Sequence, residues 1–101
     1  MKILGTGSAV PKHTVTNDML SDYVDTSDEW ITTRTGIKSR QIITTERFEE
    51  MAALAGQRAI DAAGLVPDDI DFIICHNVCN CYVTPSLAAL IQHILGIKGP
   101  N

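Results

Sequence analysis

The chain has 101 residues, 45% of them hydrophobic and 20% charged, an ordinary balance for a globular protein. Its 8 basic and 12 acidic residues leave a net charge of −4, which argues against a nucleic-acid surface built on phosphate neutralisation. No apolar run approaches the roughly 20 residues of a membrane span. MKILGTGSAVP has one Lys and an apolar run far shorter than a signal peptide requires, so no secretory leader is expected. The odd set of 3 cysteines frames no disulfide network, and together these lead us to expect a reducing cytosol.

Lys2 to Val10 is expected as a strand entering a turn, with Gly5 and Gly7 marking close backbone approach or a bend. As a dinucleotide loop this pair fails: the third glycine position is Val10, and Pro11 follows instead of a helix. His13 falls in a polar loop, and Thr16 or Asn17 caps a short helix through Val24. Thr26 or Ser27 opens the next helix, where Thr26-x-x-Glu29 fits a capping box and Gly36 supplies the stop. Ile37 to Thr44 has the composition of a strand.

Glu46 to Ala63 is the clearest element. Phe48, Met51, Ala52, Ala55, Ala59, Ala62 and Ala63 recur at three- and four-residue spacing, which predicts one apolar face small enough for close approach to a sheet. Gly64 ends this helix and Pro67-Asp68-Asp69 makes a turn. Ile70 to Cys75, IDFIIC, reads as a strand buried on both faces. Pro85 or Ser86 starts a last helix through Leu95, with Gly96 behind it. Strand, helix, strand, helix predicts a layered α/β arrangement with right-handed crossovers. Three short strands make a poor sheet alone, so the chain is expected to be the first piece of something larger.

The groups able to carry chemistry are few. Cys75, Cys79 and Cys81 with His76 lack the paired C-x2-C spacing of tetrahedral zinc, so no metal site is expected. As a Cys–His–Asn group, Cys75 and His76 fail because neighbours in a strand point to opposite faces. The cysteines read as small buried hydrophobes, His93 as a surface or structural group, and Glu46, Glu49 and Glu50 as a solvated first turn. Arg34, Lys38 and Arg40 form a basic cluster that could hold one small phosphorylated ligand. Trp30, the single tryptophan, is the odd placement, set among acids, threonines and an arginine. On a helix, Thr26, Trp30 and Arg34 are successive i,i+4 neighbours. Such a stripe either stacks an aromatic base and takes a phosphate, or half-buries its indole against a neighbouring element under Arg34.

ILGTGSAVP with TND, VDTSDEWITTRTGI, the MA-x-LA-x-x-A-x-x-AAGL-x-P-x-DID-x-II pattern and PS-x-AA-x-IQ-x-x-LGIKG follow in order over essentially the whole chain. In these it resembles the β-ketoacyl-acyl carrier protein synthase III family. The resemblance implies a thiolase-like α/β fold, of which residues 1–101 form an incomplete N-terminal half-domain ending before the nucleophilic cysteine. It implies an enzyme, usually a homodimer, that condenses an acyl-CoA starter with malonyl-acyl carrier protein, acyl-CoA being substrate and no cofactor being tightly bound. It places the CoA adenine on Trp30, a hydrogen bond at Thr26 and the rest of the nucleotide at Arg34. Thr84 stands where many members carry a phenylalanine that limits starter size, which predicts tolerance of longer or branched starters. None of the family's catalytic Cys, His and Asn residues matches a position here, so the chain alone is expected to be inactive. The alternatives are a non-catalytic module that binds CoA or a partner, and a segment of a related thiolase-fold condensing enzyme.

Overall fold

Residues 1–78 and 82–98 are described by a computed structural model, in the order β1 (His13–Thr16), α1 (Asn17–Ser21), α2 (Asp28–Thr35), β2 (Ser39–Ile42), α3 (Phe48–Ala62), a 3-10 turn at Pro67–Asp69, and α4 (Leu87–Leu95). They belong to two units, one of Val10–Thr45 and one of Met1–Ala9 with residues from Glu46 onward.

In the first unit, β1 and β2 pair antiparallel in the register His13↔Ile42, Thr14↔Gln41, Val15↔Arg40 and Thr16↔Ser39. His13 is therefore a strand residue and not part of a loop; the β-branched run Thr14-Val15-Thr16 favours the extended state once a partner is present. The expected strand over Ile37 to Thr44 shrinks to Ser39–Ile42 because β1 offers only four residues to pair with. Thr16 caps α1 by accepting from the Met19 N–H, and this helix stops at Ser21, short of Val24. Ser27 caps α2, and Gly36, with φ of 72°, takes the left-handed turn after Thr35. Apolar burial contributes little here. Val15 is the buried hydrophobic of this unit among the described residues, whereas Asn17 is buried to 1% exposure.

The second unit is organised around α3, which packs on two sides. Backbone of the N-terminal segment crosses it at Gly5 and Gly7: a Cβ on Gly5 would stand 2.6 Å from Ala59 O and 2.7 Å from Ala63 N, and one on Gly7 would collide with Ala55 O and Ala59 N. The close approach expected of these glycines is thus made against the small face of the helix. Around the axis, Ala53 is buried with Leu87 and Ile91 of α4, joined by Phe48, Ala52, Ile73, Cys75 and Leu95. Leu87 and Ile91 each contribute roughly 1.5–3 kcal/mol through that burial. The single apolar face predicted for α3 is therefore corrected: Ala53 and Ile60 are the buried positions, while Ala62 is exposed. Cys75 fits its reading as a small hydrophobe; Cys79 and Cys81 lie outside the described residues.

Two expected strands are not found in a ladder. Lys2 to Val10 and Ile70 to Cys75 form no strand, and among the described residues the sheet holds β1 and β2 alone, antiparallel. Ile73 and Cys75 face the α3–α4 core, but Phe72 is 70% and Ile74 86% exposed, so IDFIIC is covered on one face only. Backbone of this kind becomes strand when neighbours supply its hydrogen bonds.

Candidate functional site

The candidate site is built on α2. Ser27 leaves the helix in extended backbone, with φ of −146°, and its hydroxyl accepts from the Trp30 N–H at 3.1 Å. Asp28 and Glu29 occupy the first turn and Arg34 the last, each sign matching the helix dipole. Trp30 is thereby fixed at its backbone by the cap itself. Its side chain is 54% exposed, and the Arg34 guanidinium carbon lies 4.7 Å from the ring centroid. A cation over an indole at this distance is attracted by the ring quadrupole.

Trp30 borders two recesses. Ser27, Glu29, Thr33 and Arg34 complete one of about 580 Å³. Asp25, Thr26 and Ser27 complete the other, of about 370 Å³. Ser27 takes the cap, so the Thr26-x-x-Glu29 capping box does not form and Thr26 stands just outside the helix. The Thr26–Trp30–Arg34 helical stripe is accordingly reduced to Trp30 and Arg34. Thr26 nevertheless reaches the Trp30 recess, and its Oγ1 is buried with no hydrogen-bond partner among the described residues. A buried hydroxyl in that condition favours a ligand able to pair with it.

Behind α2 lies a polar cluster that inspection of the sequence missed. Asn17 Nδ2 donates to Asp28 Oδ1 at 2.9 Å and to Ile37 O at 2.8 Å, with Thr32 Oγ1 at 3.4 Å. Its Oδ1 accepts from Arg40 Nη2 at 2.6 Å, and Arg40 Nη1 donates to Val15 O at 3.2 Å. Arg40 is occupied by these partners, which removes it from the basic cluster proposed for a phosphorylated ligand. The signal for Asn17 was present only as a plausible helix cap, which concealed its tertiary role. Thr84 belongs to the other unit, exposed and immediately before Pro85. That unit holds a further recess of about 300 Å³ lined by Arg47, Glu49, Tyr82 and His93 among others. There Arg47 pairs with Glu49 at 3.2 Å, and Tyr82, then Glu49, raise its pKa, so this cation is already partnered.

An indole and a guanidinium on one helix, with an unpaired hydroxyl beside them, suit a planar aromatic base carrying phosphate. No family model matches the chain. Beta-ketoacyl-[acyl-carrier-protein] synthase III of Clostridium acetobutylicum is 45% identical over 98 residues, which are 97% of this chain and 30% of that protein. The crystal structure of 3-oxoacyl-[acyl-carrier-protein] synthase III from Aquifex aeolicus VF5 is 47% identical and superposes with a TM-score of 0.92, over 97% of this chain and 32% of its own. Over nearly its whole length the chain is thus similar to part of the β-ketoacyl-acyl carrier protein synthase III proteins.

It spans about 30% of the length of the synthase III relatives it matches. The priming beta-ketosynthase of the R1128 polyketide biosynthetic pathway is also similar, at 38% identity and a TM-score of 0.90 over 96% of this chain and 29% of its own. The thiolase-like fold expected from the motifs is the fold these synthase III structures share with the chain, present here as a small α/β piece. No helix among the described residues is long and apolar enough to cross a membrane.

Proposed function

We propose that this chain provides the CoA-nucleotide edge of a β-ketoacyl-acyl carrier protein synthase III, which condenses an acyl-CoA starter with malonyl-acyl carrier protein, releasing CO2, to begin fatty-acid synthesis. The observation that carries the reading is Trp30, half exposed under Arg34 and beside the unpaired Thr26 hydroxyl. The adenine stacks on the indole, Thr26 Oγ1 hydrogen-bonds to the base, and the Arg34 guanidinium takes a phosphate oxygen. Acyl-CoA is a substrate and not a resident cofactor. The working assembly is a cytoplasmic homodimer with malonyl-acyl carrier protein as second partner, without nucleic acid or membrane. No residue of this chain is assigned to bond making; Thr84 borders the acyl pocket and widens it where a phenylalanine would narrow it.

Titration of the whole protein with CoA tests the reading. Loss of base stacking, about 1–3 kcal/mol, predicts that Trp30→Ala weakens CoA binding by roughly 5- to 150-fold, while Trp30→Phe retains most of it. Equal affinity of Trp30→Ala and the parent protein would dismiss the site. A condensing enzyme that primes a polyketide is the second reading, favoured by the likeness to the R1128 enzyme. Product analysis with malonyl-acyl carrier protein separates the two.

A further inference from the structure

The helix that carries Trp30 has no fully buried side chain, and only Ile31 and Thr32 are partly buried, so apolar packing holds it weakly. What grips it is polar. Asp28 and Thr32, one turn apart, both meet the Asn17 side chain, and the Thr32 hydroxyl also donates to Asp28 Oδ1 at 3.2 Å. Trp30 and Arg34 each follow these residues by two positions, about 200° around the helix. The gripped edge and the ligand edge are therefore nearly opposite. The orientation of the Asn17 amide is settled by Arg40, which has only donors to offer, so the oxygen must be the atom it meets. The two hydrogens of the nitrogen then go to Asp28 and the Ile37 carbonyl, with Thr32 Oγ1 a longer, shared contact at 3.4 Å, and the Asn17 backbone N–H goes to Lys38 O at 3.2 Å. One side chain thus ties the start of α1 to α2, to the turn after it and to β2.

We propose that Asn17 is the positioning residue of the Trp30–Arg34 surface, setting the rotation of α2 so that indole and guanidinium together meet the ligand. This rests on the reading of that surface as the CoA-nucleotide site. A helix with its side chains is about 5–6 Å in radius, so a turn of about 20° about its axis moves an indole by roughly 2 Å. That is enough to spoil a stacked base without unfolding the helix. Asn17 touches no ligand in this scheme and acts through Asp28 and Thr32.

The test uses the whole protein with 5-fluorotryptophan incorporated at position 30, whose ¹⁹F resonance reports the indole's surroundings without any ligand. In Asn17→Ala the resonance of the folded protein is expected to move and broaden, with CoA binding weaker by about 10-fold or more. The KM for acyl-CoA should rise while kcat at saturation stays within about 2-fold. If Asn17→Ala does not fold, Thr32→Val carries the same measurements, since it deletes the hydroxyl shared by Asn17 and Asp28. A resonance that coincides with the parent's in a merely less stable protein overturns the positioning role. If in that case Trp30→Ala still loses CoA, the nucleotide-site reading stands alone. If the resonance moves but neither Asn17→Ala nor Trp30→Ala changes CoA affinity, Asn17 orients α2 but the nucleotide-site reading is the part that fails.

Discussion

Three glycine-to-alanine substitutions put the packing of α3 to a quantitative test. At Gly5 the added Cβ would stand 2.6 Å from Ala59 O, 2.7 Å from Ala63 N and 3.0 Å from Ala63 Cβ. Ordinary contacts are about 3.5–4.0 Å, so the shortfall approaches ~1 Å against groups of which two are helix backbone and cannot rotate aside. The segment must lift off α3. Overpacking of this kind costs about 3 kcal/mol at the upper end of its usual range, and the stiffer unfolded chain offsets about 0.4–1 kcal/mol. A net loss of about 2 kcal/mol corresponds to a fall in Tm of roughly 10 °C for a domain of this size. At Gly56, inside α3, a Cβ would meet only Leu95 Cδ1 at 3.4 Å, an ordinary contact with a terminal methyl. Gly56→Ala should therefore stabilise by about 0.5–1 kcal/mol through helix propensity. Gly36 has open space around it but φ of 72°, so Gly36→Ala should cost about 1 kcal/mol from backbone strain alone. Thermal and urea melts followed by circular dichroism give the ranking Gly56→Ala above the parent, then Gly36→Ala, then Gly5→Ala. A Gly5→Ala protein melting within about 2 °C of the parent would refute the crossing of the N-terminal segment over α3.

The remaining predictions concern the site. Ser27→Ala removes the cap on the Trp30 N–H and should cost about 1 kcal/mol, with Ser27→Asp restoring most of it; hydrogen exchange at the Trp30 amide reads the effect, and unchanged protection would argue that the cap is idle. Thr84→Phe in the whole enzyme should lower kcat/KM for long or branched starters relative to acetyl-CoA by about 10-fold or more. Unaltered selectivity across a starter series would remove Thr84 from the acyl pocket.

How legible was this protein in its residues? The helices were readable because their determinants are local. Ser27, Ser86, Gly36 and Gly96 sit at the ends of α2 and α4, and the caps satisfy backbone groups within one turn of the chain. Trp30 and Arg34, four apart on α2, were likewise set in contact by helical spacing. The family motifs carried the fold class, since sequence similarity extends over nearly the whole chain.

What tertiary structure alone decided is what depends on partners distant in the chain. Apolar run length could not tell that IDFIIC has one face on the α3–α4 core and the other open, because burial depends on what lies across from a residue. The pairing of β1 with β2 joins positions 13–16 to 39–42, a contact whose loop-closure cost no local pattern records. Alanine spacing marked a small face on α3 but not the second, around Ala53 and Ile60, that meets other elements. Asn17 is the extreme case. Its type and position suit a helix start, yet its side chain reaches Asp28, Thr32, Ile37 and Arg40, 11 to 23 residues away. A hydrogen bond is short-ranged in space but indifferent to separation along the chain, so only the folded backbone could bring these groups to one amide.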